Sequence, residues 1–289
     1  MDTFALAHRT VHRVGFGAMQ LPGRGVFGPP RDHDEAVAVL RRAVELGVDH
    51  IDTAQYYGPD VSNRLIREAL HPYPEGLALV SKVGAVRDDA GAWLPAQRPE
   101  QLRSAVEGNL RALDVEQLTA VNLRRLDPEH VQPGAEVPLE DQLAEMVALR
   151  EEGKIDGVGI SNATIDQVRT AVGTAGIVCV QNPFSLLDRH DADVLDLCEE
   201  SGIAYVPFFP LGSAFPNMPK VTEDETVRAV AERVGATPAQ VGLAWLLAHR
   251  ENILLIPGTS RVAHLEENMR VTDVVLSDDD LAELDKLAG

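Results

Sequence analysis

Cysteine is scarce: Cys179 and Cys198 are the only two. Both sit in apolar-patterned segments, which favours buried free thiols over a disulfide framework. Positive charge is also short. Lys and Arg number 26 against 45 Asp and Glu, a formal net charge of -19, and no basic cluster interrupts the excess. Nucleic-acid phosphates and anionic lipid are therefore not expected partners. No apolar run reaches membrane-spanning length and no basic-plus-apolar leader is visible, so a cytoplasmic location is expected. The Gly15-Phe16-Gly17 stretch lacks the third glycine of a dinucleotide-binding turn, and no G-x-S-x-G elbow occurs. The histidines, among them His12, His33, His71, His130 and His249, read as solvated or capping groups, and no metal is expected.

What is present centres on the stretch HIDTAQYYGPD, residues 50–60. Its first residues end a short strand that delivers Asp52, and the loop leaving it carries Tyr57. The next apolar run, 77–81, ends on Lys82. In a parallel sheet successive strands end on one side, so the carboxylate, the phenol and the ammonium are expected to converge. An ammonium beside a phenol favours phenolate, and the carboxylate holds the ammonium in place. Lys82 is therefore expected to lower the Tyr57 pKa.

Along the chain, strand patterns at 14–19, 47–52, 77–82, 118–123, 155–160, 177–180, 203–209 and 253–256 alternate with helical periodicity. Helices are expected from 33 to Gly47, capped by Asp32 or Asp34, and over 63–70, 98–113, 139–150, 165–172, 190–200, 224–234, 238–249, 262–269 and 278–287. Polar loops are expected at 20–30, 88–97, 128–138 and 210–221. Eight strands alternating with helices are the pattern of a (β/α)8 TIM barrel, filling residues 1–289 as a single domain. An open doubly wound sheet is the alternative, but it wants an early glycine-rich turn. Five consecutive strands end in polar groups: Asp52, Lys82, Asn122 with Arg124, Ser161 with Asn162, and Gln181 with Asn182. In a barrel those ends form one mouth, where active sites are built.

The stretch Ile51-Asp52-Thr53-Ala54 with Tyr57-Gly58, followed by a strand ending on Lys82, resembles the aldo-keto reductases. That resemblance implies a barrel enzyme reducing a small-molecule carbonyl substrate with NADPH, NADH being the possible substitute. It implies Asp52, Tyr57 and Lys82 as catalytic groups, with Tyr57 as the acid. Ser161, Asn162 and Gln181 match the positions that bind the nicotinamide carboxamide. Phe208 with Pro210, Leu211 and Gly212 resembles the loop whose aromatic residue stacks on the nicotinamide. Gly258, Thr259, Ser260, Glu267 and Asn268 resemble the segment around the adenosine phosphates, adenine and ribose.

Two positions depart from the family pattern. Arg124 stands where a histidine is usual, and it is expected to orient the substrate and assist the developing oxyanion. Gly258 stands where many members carry a lysine for the 2′-phosphate, which leaves Arg261 and His264 to supply that charge. The arginine, the segment Tyr56-Tyr57-Gly58-Pro59 and the run 203–212 are similar to a bacterial subgroup that includes pyridoxal reductases, so pyridoxal is the implied substrate. Trp93, Phe27 and Phe215 would then line an aromatic pocket. A broad-specificity carbonyl reductase and a low-turnover NADP-binding sensor or regulatory subunit are the alternatives. A monomer or a weak homo-oligomer is expected.

Overall fold

The computed structural model describes residues 2–126, 136–212 and 219–287. The expected loops at 128–138 and 210–221, together with His130 and Phe215, lie partly or wholly outside them. Seven parallel strands form one sheet in the order β3 (Phe16–Gly17), β4 (His50–Asp52), β5 (Ala78–Val83), β8 (Leu118–Arg124), β9 (Ile155–Ser161), β10 (Cys179–Gln181) and β11 (Ala204–Tyr205). The eighth expected strand is too short to count as one, yet it closes the ring. Leu255 N donates to Arg13 O and Gly15 N to Leu255 O, both at 2.8 Å, while Leu254 N donates to Tyr205 O at 2.9 Å. The result is the (β/α)8 barrel that the alternation of elements requires.

The outer helices are α1 (His33–Glu45), α2 (Val61–Leu70), α3 (Pro99–Leu113), α4 (Leu139–Glu151), α5 (Ile165–Ala175) and α6 (Ala192–Glu200), followed by α7 (Glu225–Val234), α8 (Pro238–His249), α9 (Val262–Met269) and α10 (Asp278–Leu284). Of the two cap candidates for α1, Asp32 does the work: its side chain accepts from Glu35 N at 3.0 Å. Among the described residues no helix is long and apolar enough to cross a membrane.

Two hairpins were not expected. β1 (Thr3–Leu6) pairs antiparallel with β2 (Arg9–His12), and Leu6 and Val11 pack with Ala78, Val80, Ala120, Cys179 and Leu254 to plug the barrel floor. His8 and His12, four residues apart there, each pair with a different carboxylate, Asp156 and Asp49. β6 (Ala85–Arg87), just before the stretch 88–97 read as a loop, pairs with β7 (Trp93–Pro95) inside it, and the hairpin stands at the opposite end.

Strand alternation fixes which residues reach the mouth. On β5, Leu79 and Val83 pack outward against helices while Ala78 and Val80 fill the interior, so Lys82 is the uppermost inward side chain. On β8 the inward row is Ala120, Asn122 and Arg124, with Val121 and Leu123 facing outward. Asn122 lies one layer below the rim, buried, its Oδ1 accepting from Cys179 Sγ at 3.4 Å. A Cβ on Gly159 would stand 2.3 Å from Asn122 Oδ1, which is why the neighbouring strand carries glycine there.

Candidate active site at the carboxyl ends of the strands

The floor of the mouth is an ion pair with every partner in place. Lys82 Nζ contacts Asp52 Oδ1 and donates to Thr53 O at 3.1 Å; the second carboxylate oxygen accepts from Gln181 Nε2 at 2.7 Å. All three side chains are buried. All three stand at the carboxyl ends of parallel strands of one sheet, so the sheet itself sets the spacing. A buried pair of this kind persists because its remaining polar positions are satisfied.

Above the floor Lys82 Nζ lies 5.1 Å from the centre of the Tyr57 ring. Burial pushes the Tyr57 pKa well above its ordinary value, the Asp52 carboxylate adds to the rise, and the Arg124 charge opposes it. The lowering expected from Lys82 is not the outcome: the shift is upward and favours the protonated phenol. Tyr56, edge-on to Tyr57 at 5.4 Å, is buried with its hydroxyl unpartnered and its pKa likewise raised by burial. Trp93 on β7 packs edge-on against Tyr56 at 5.1 Å.

The rim is tied together by a residue that motif reading passes over. Arg87 donates to Gly91 O at 2.8 Å, Gly25 O at 3.2 Å and Val26 O at 3.3 Å, and its guanidinium carbon lies 4.3 Å from the Trp93 ring and 5.2 Å from the Phe27 ring. Phe27 forms a bridge with Gly58, next to Tyr57. Three segments distant in sequence are thereby fastened around the phenol. Arg124 reaches the same rim, 6.0 Å from the Trp93 ring.

A cleft of about 400 Å³ opens from this point. Asp52, Tyr57, Lys82 and Gln181 line it together with Phe208, Pro210, Leu211 and Gly212 and with Gly258, Thr259, His264, Glu267 and Asn268. Gln20, from the loop expected to line the pocket, is joined in the wall by residues 17 and 19, which were not foreseen. Ser161 stands in register beside Gln181 at the strand ends, and neither Ser161 Oγ nor Gln181 Oε1 has a partner. Asn162 takes φ 55° and donates through Nδ2 to Arg125 O at 3.1 Å, so it shapes the turn. Ser260 and Arg261 line an adjoining cleft of about 610 Å³ that shares only residues 19 and 20 with the first.

The lysine missing at position 258 has a steric reason. A Cβ on Gly258 would stand 2.4 Å from Gly17 O, and one on Gly17 would stand 2.5 Å from Ile256 O. The two backbones interlock where the eighth segment meets the first strand, so no side chain fits at either place. Beyond it, Val262 N at the start of α9 donates to Glu35 on α1 at 2.9 Å. Among the described residues no group of three or more His, Cys, Asp or Glu is placed to hold a metal ion.

Comparison with known proteins fits this architecture. A model of the aldo/keto reductase family matches residues 13–288. The chain is 48% identical to pyridoxine 4-dehydrogenase of Escherichia coli, over 99% of this chain and 98% of that protein. It is 39% identical to an uncharacterized oxidoreductase of Schizosaccharomyces pombe, over 98% and 89% of the two chains. Among solved structures, a thermostable aldo-keto reductase in complex with the inhibitor epalrestat superposes with a TM-score of 0.83 at 29% identity, covering both chains fully. An aldo/keto reductase from Klebsiella pneumoniae with NADP and acetate superposes at 0.82 with 26% identity, over 99% and 95% of the chains.

Proposed function

The chain belongs to the aldo/keto reductase family, and on that premise we propose that it reduces the aldehyde of pyridoxal to an alcohol with NADPH, Tyr57 delivering the proton. Membership makes it an NAD(P)H-dependent oxidoreductase. The finer reading is carried by one observation: the buried Tyr57 phenol stands over the Lys82–Asp52 ion pair, which Gln181 holds from the other side, and all four line one cleft. The Escherichia coli relative, named for the same vitamer chemistry, supports pyridoxal as substrate.

The residues present suit a nicotinamide cofactor. A carboxamide carries one acceptor and two donor hydrogens, and Ser161 Oγ and Gln181 Oε1 are an unpartnered hydroxyl and an unpartnered acceptor on adjacent strands. Phe208 offers a ring for the nicotinamide, and the interlocked glycines at 17 and 258 leave bare backbone for phosphates. Arg261 and His264 would carry the charge toward a 2′-phosphate in place of the absent lysine, with Glu267 and Asn268 toward adenine and ribose. The cofactor supplies the hydride.

The chain's own groups handle position and proton. Tyr57 holds its proton because burial disfavours phenolate, and it gives the proton up to the far more basic oxygen that develops as the carbonyl is reduced. Lys82 places a fixed positive charge beside the phenol, so the phenolate left behind is stabilised. Asp52 and Thr53 O hold that ammonium, and Gln181 keeps the second Asp52 oxygen from turning toward Tyr57. Arg124 directs its guanidinium at the carbonyl oxygen.

NADPH oxidation at 340 nm, with pyridoxal and with 4-nitrobenzaldehyde, tests this on wild type and Tyr57→Phe. Tyrosine-dependent turnover favouring pyridoxal is expected. Turnover of the activated aldehyde alone keeps the chemistry and removes the substrate; NADPH binding without turnover on either overturns both.

A further inference from the structure

Arg124, whose guanidinium carbon lies 6.0 Å over the Trp93 ring, has no anionic partner among the described residues. Its Nε is buried without a hydrogen bond, and among the described residues no carboxylate lies within ion-pair distance of it. Its neighbour Arg125 is the opposite case, donating to Gln142 Oε1 and, at 3.4 Å, to Gln97 Oε1. A half-buried guanidinium without an anion is costly to maintain, and strand alternation aims this one inward beside Tyr56 and Tyr57. The charge is therefore placed for something that enters the mouth.

Guanidinium is a planar fork of parallel donors, matched to two oxygens side by side, where a single ring N–H would serve one. One oxygen is supplied by the reacting carbonyl. Beside Arg124 stands a flat surface, Trp93, 46% exposed yet pinned from one side by Arg87 and edge-on to Tyr56. A ring laid on Trp93 puts its ring-borne oxygen and its carbonyl oxygen toward the fork together.

We propose that the mouth selects flat aromatic aldehydes bearing an ionised oxygen on the ring carbon next to the aldehyde-bearing carbon, with Arg124 reading both oxygens and Trp93 carrying the ring. The proposal rests on the carbonyl-reductase reading above. In such a substrate the two oxygens are conjugated and share one negative charge, a vinylogous carboxylate, which is what an unpaired fork accepts best. Binding it also fixes the aldehyde by two contacts instead of one. Arg87 is a positioning residue in this scheme, acting through the Trp93 ring.

The test compares kcat/KM with NADPH for 2-hydroxybenzaldehyde, 2-methoxybenzaldehyde and benzaldehyde between about pH 6.5 and 9.5, the methoxy compound keeping an oxygen at the same ring position that cannot ionise. Wild type is expected to favour 2-hydroxybenzaldehyde over the methoxy compound by about 10- to 100-fold, the scale of a hydrogen bond to a charged group. The ratio rises as the substrate phenol ionises. Arg124→Gln brings the ratio close to one, and Arg124→Lys, a point charge without a fork, restores only part of it. Arg87→Lys raises KM for the aromatic aldehydes with kcat little changed, while KM for hexanal stays as in wild type. A wild-type ratio near one, a ratio flat with pH, or a ratio retained in Arg124→Gln overturns the proposal. Benzaldehyde turnover in wild type keeps the reductase reading standing in that event; no NADPH oxidation with any of the three removes the reading and the proposal together.

Discussion

Arg13 and Arg124 stand at opposite ends of one barrel and are provided for differently. Arg13, buried near the floor, donates to Ile253 O at 3.1 Å, Leu247 O at 2.9 Å and Arg250 O at 2.5 Å, tying the closing strand segment to the end of α8. Arg124 at the mouth has an orphaned Nε and no ion-pair partner among the described residues. At the mouth Ser161 Oγ, Gln181 Oε1 and Tyr56 Oη are likewise buried and unfilled, while Tyr205 Oη and Asn252 Oδ1 are unfilled away from it. Buried polar groups are normally satisfied, and the unfilled ones at the mouth stand where an entering ligand can reach them.

The largest expected effect breaks the comparison on the mouth side. Tyr57→Phe removes only a hydroxyl whose proton the reaction uses, so kcat is expected to fall about 10²- to 10⁴-fold, the usual contribution of a positioned acid. The melting temperature should move by no more than about 2 °C. Because burial raises the phenol pKa, the protonated form persists toward higher pH. Wild-type kcat/KM should therefore show no loss from Tyr57 ionisation between about pH 6 and pH 9. Near-normal turnover in the phenylalanine variant would move the acid elsewhere.

Lys82→Met tests the one mouth element whose partners are filled. It leaves the Asp52 carboxylate buried beside Gln181 alone, which is expected to cost about 3–5 kcal/mol in urea unfolding, besides the loss of activity. Adding Asp52→Asn removes the stranded charge and should recover part of that stability but none of the turnover. If the double variant were no more stable than the single one, the pair would not be behaving as a buried ion pair.

The two arginines give the direct contrast. Arg13→Ala deletes three hydrogen bonds from a charged donor to backbone carbonyls and is expected to destabilise by about 3 kcal/mol. Arg124→Ala deletes none among the described residues and should stay within about 0.5 kcal/mol, or gain stability through relief of an unpaired charge. Equal losses in both would mean that Arg124 is a structural residue after all.

Much of this was legible in the chain, and the reason is periodicity. The run 77–82 shows by alternation which way Lys82 faces, and helices α8 and α9 fall where their apolar spacing puts them. The chemistry-bearing residues were found because strand ends in a parallel barrel share a level. Contacts between distant segments were not legible. Nothing near Arg87 announces that it spans from Gly91 to residues 25 and 26, and nothing near Gly17 announces that its carbonyl occupies the space a lysine at 258 would need. The first hairpin was hidden because β1 and β2 are too short to show alternation, and its role as floor depends on a barrel forming above it. The direction of the Tyr57 shift was hidden too. Charge neighbours can be read from a motif, but the burial that outweighs them comes from Tyr56, Trp93 and the loops folded over the phenol.

The smallest expected effect belongs to a cluster that is satisfied but exposed, and it separates satisfaction from burial. Glu152 accepts from Arg103 Nη1 and Nη2, each pairing at 2.7 Å, and contacts Lys154 Nζ at 2.9 Å. Arg103 first and Lys154 second bring its pKa down to about 2. A folded value below the unfolded one stabilises the protein above about pH 4.5, and that contribution is lost as the pH falls toward about 2. The cluster faces solvent, so salt screens it and the net effect is small. Glu152→Gln should therefore unfold in acid with a slightly shallower loss between about pH 4.5 and 2 than wild type, and the difference should vanish at about 0.5 M salt. If Glu152→Gln instead destabilised the protein as much as Arg13→Ala does, filled partners alone would account for stability and the burial of Arg13 would be incidental. A small, salt-sensitive change ties the weight of Arg13, and the cost of leaving Arg124 unpaired, to removal from water.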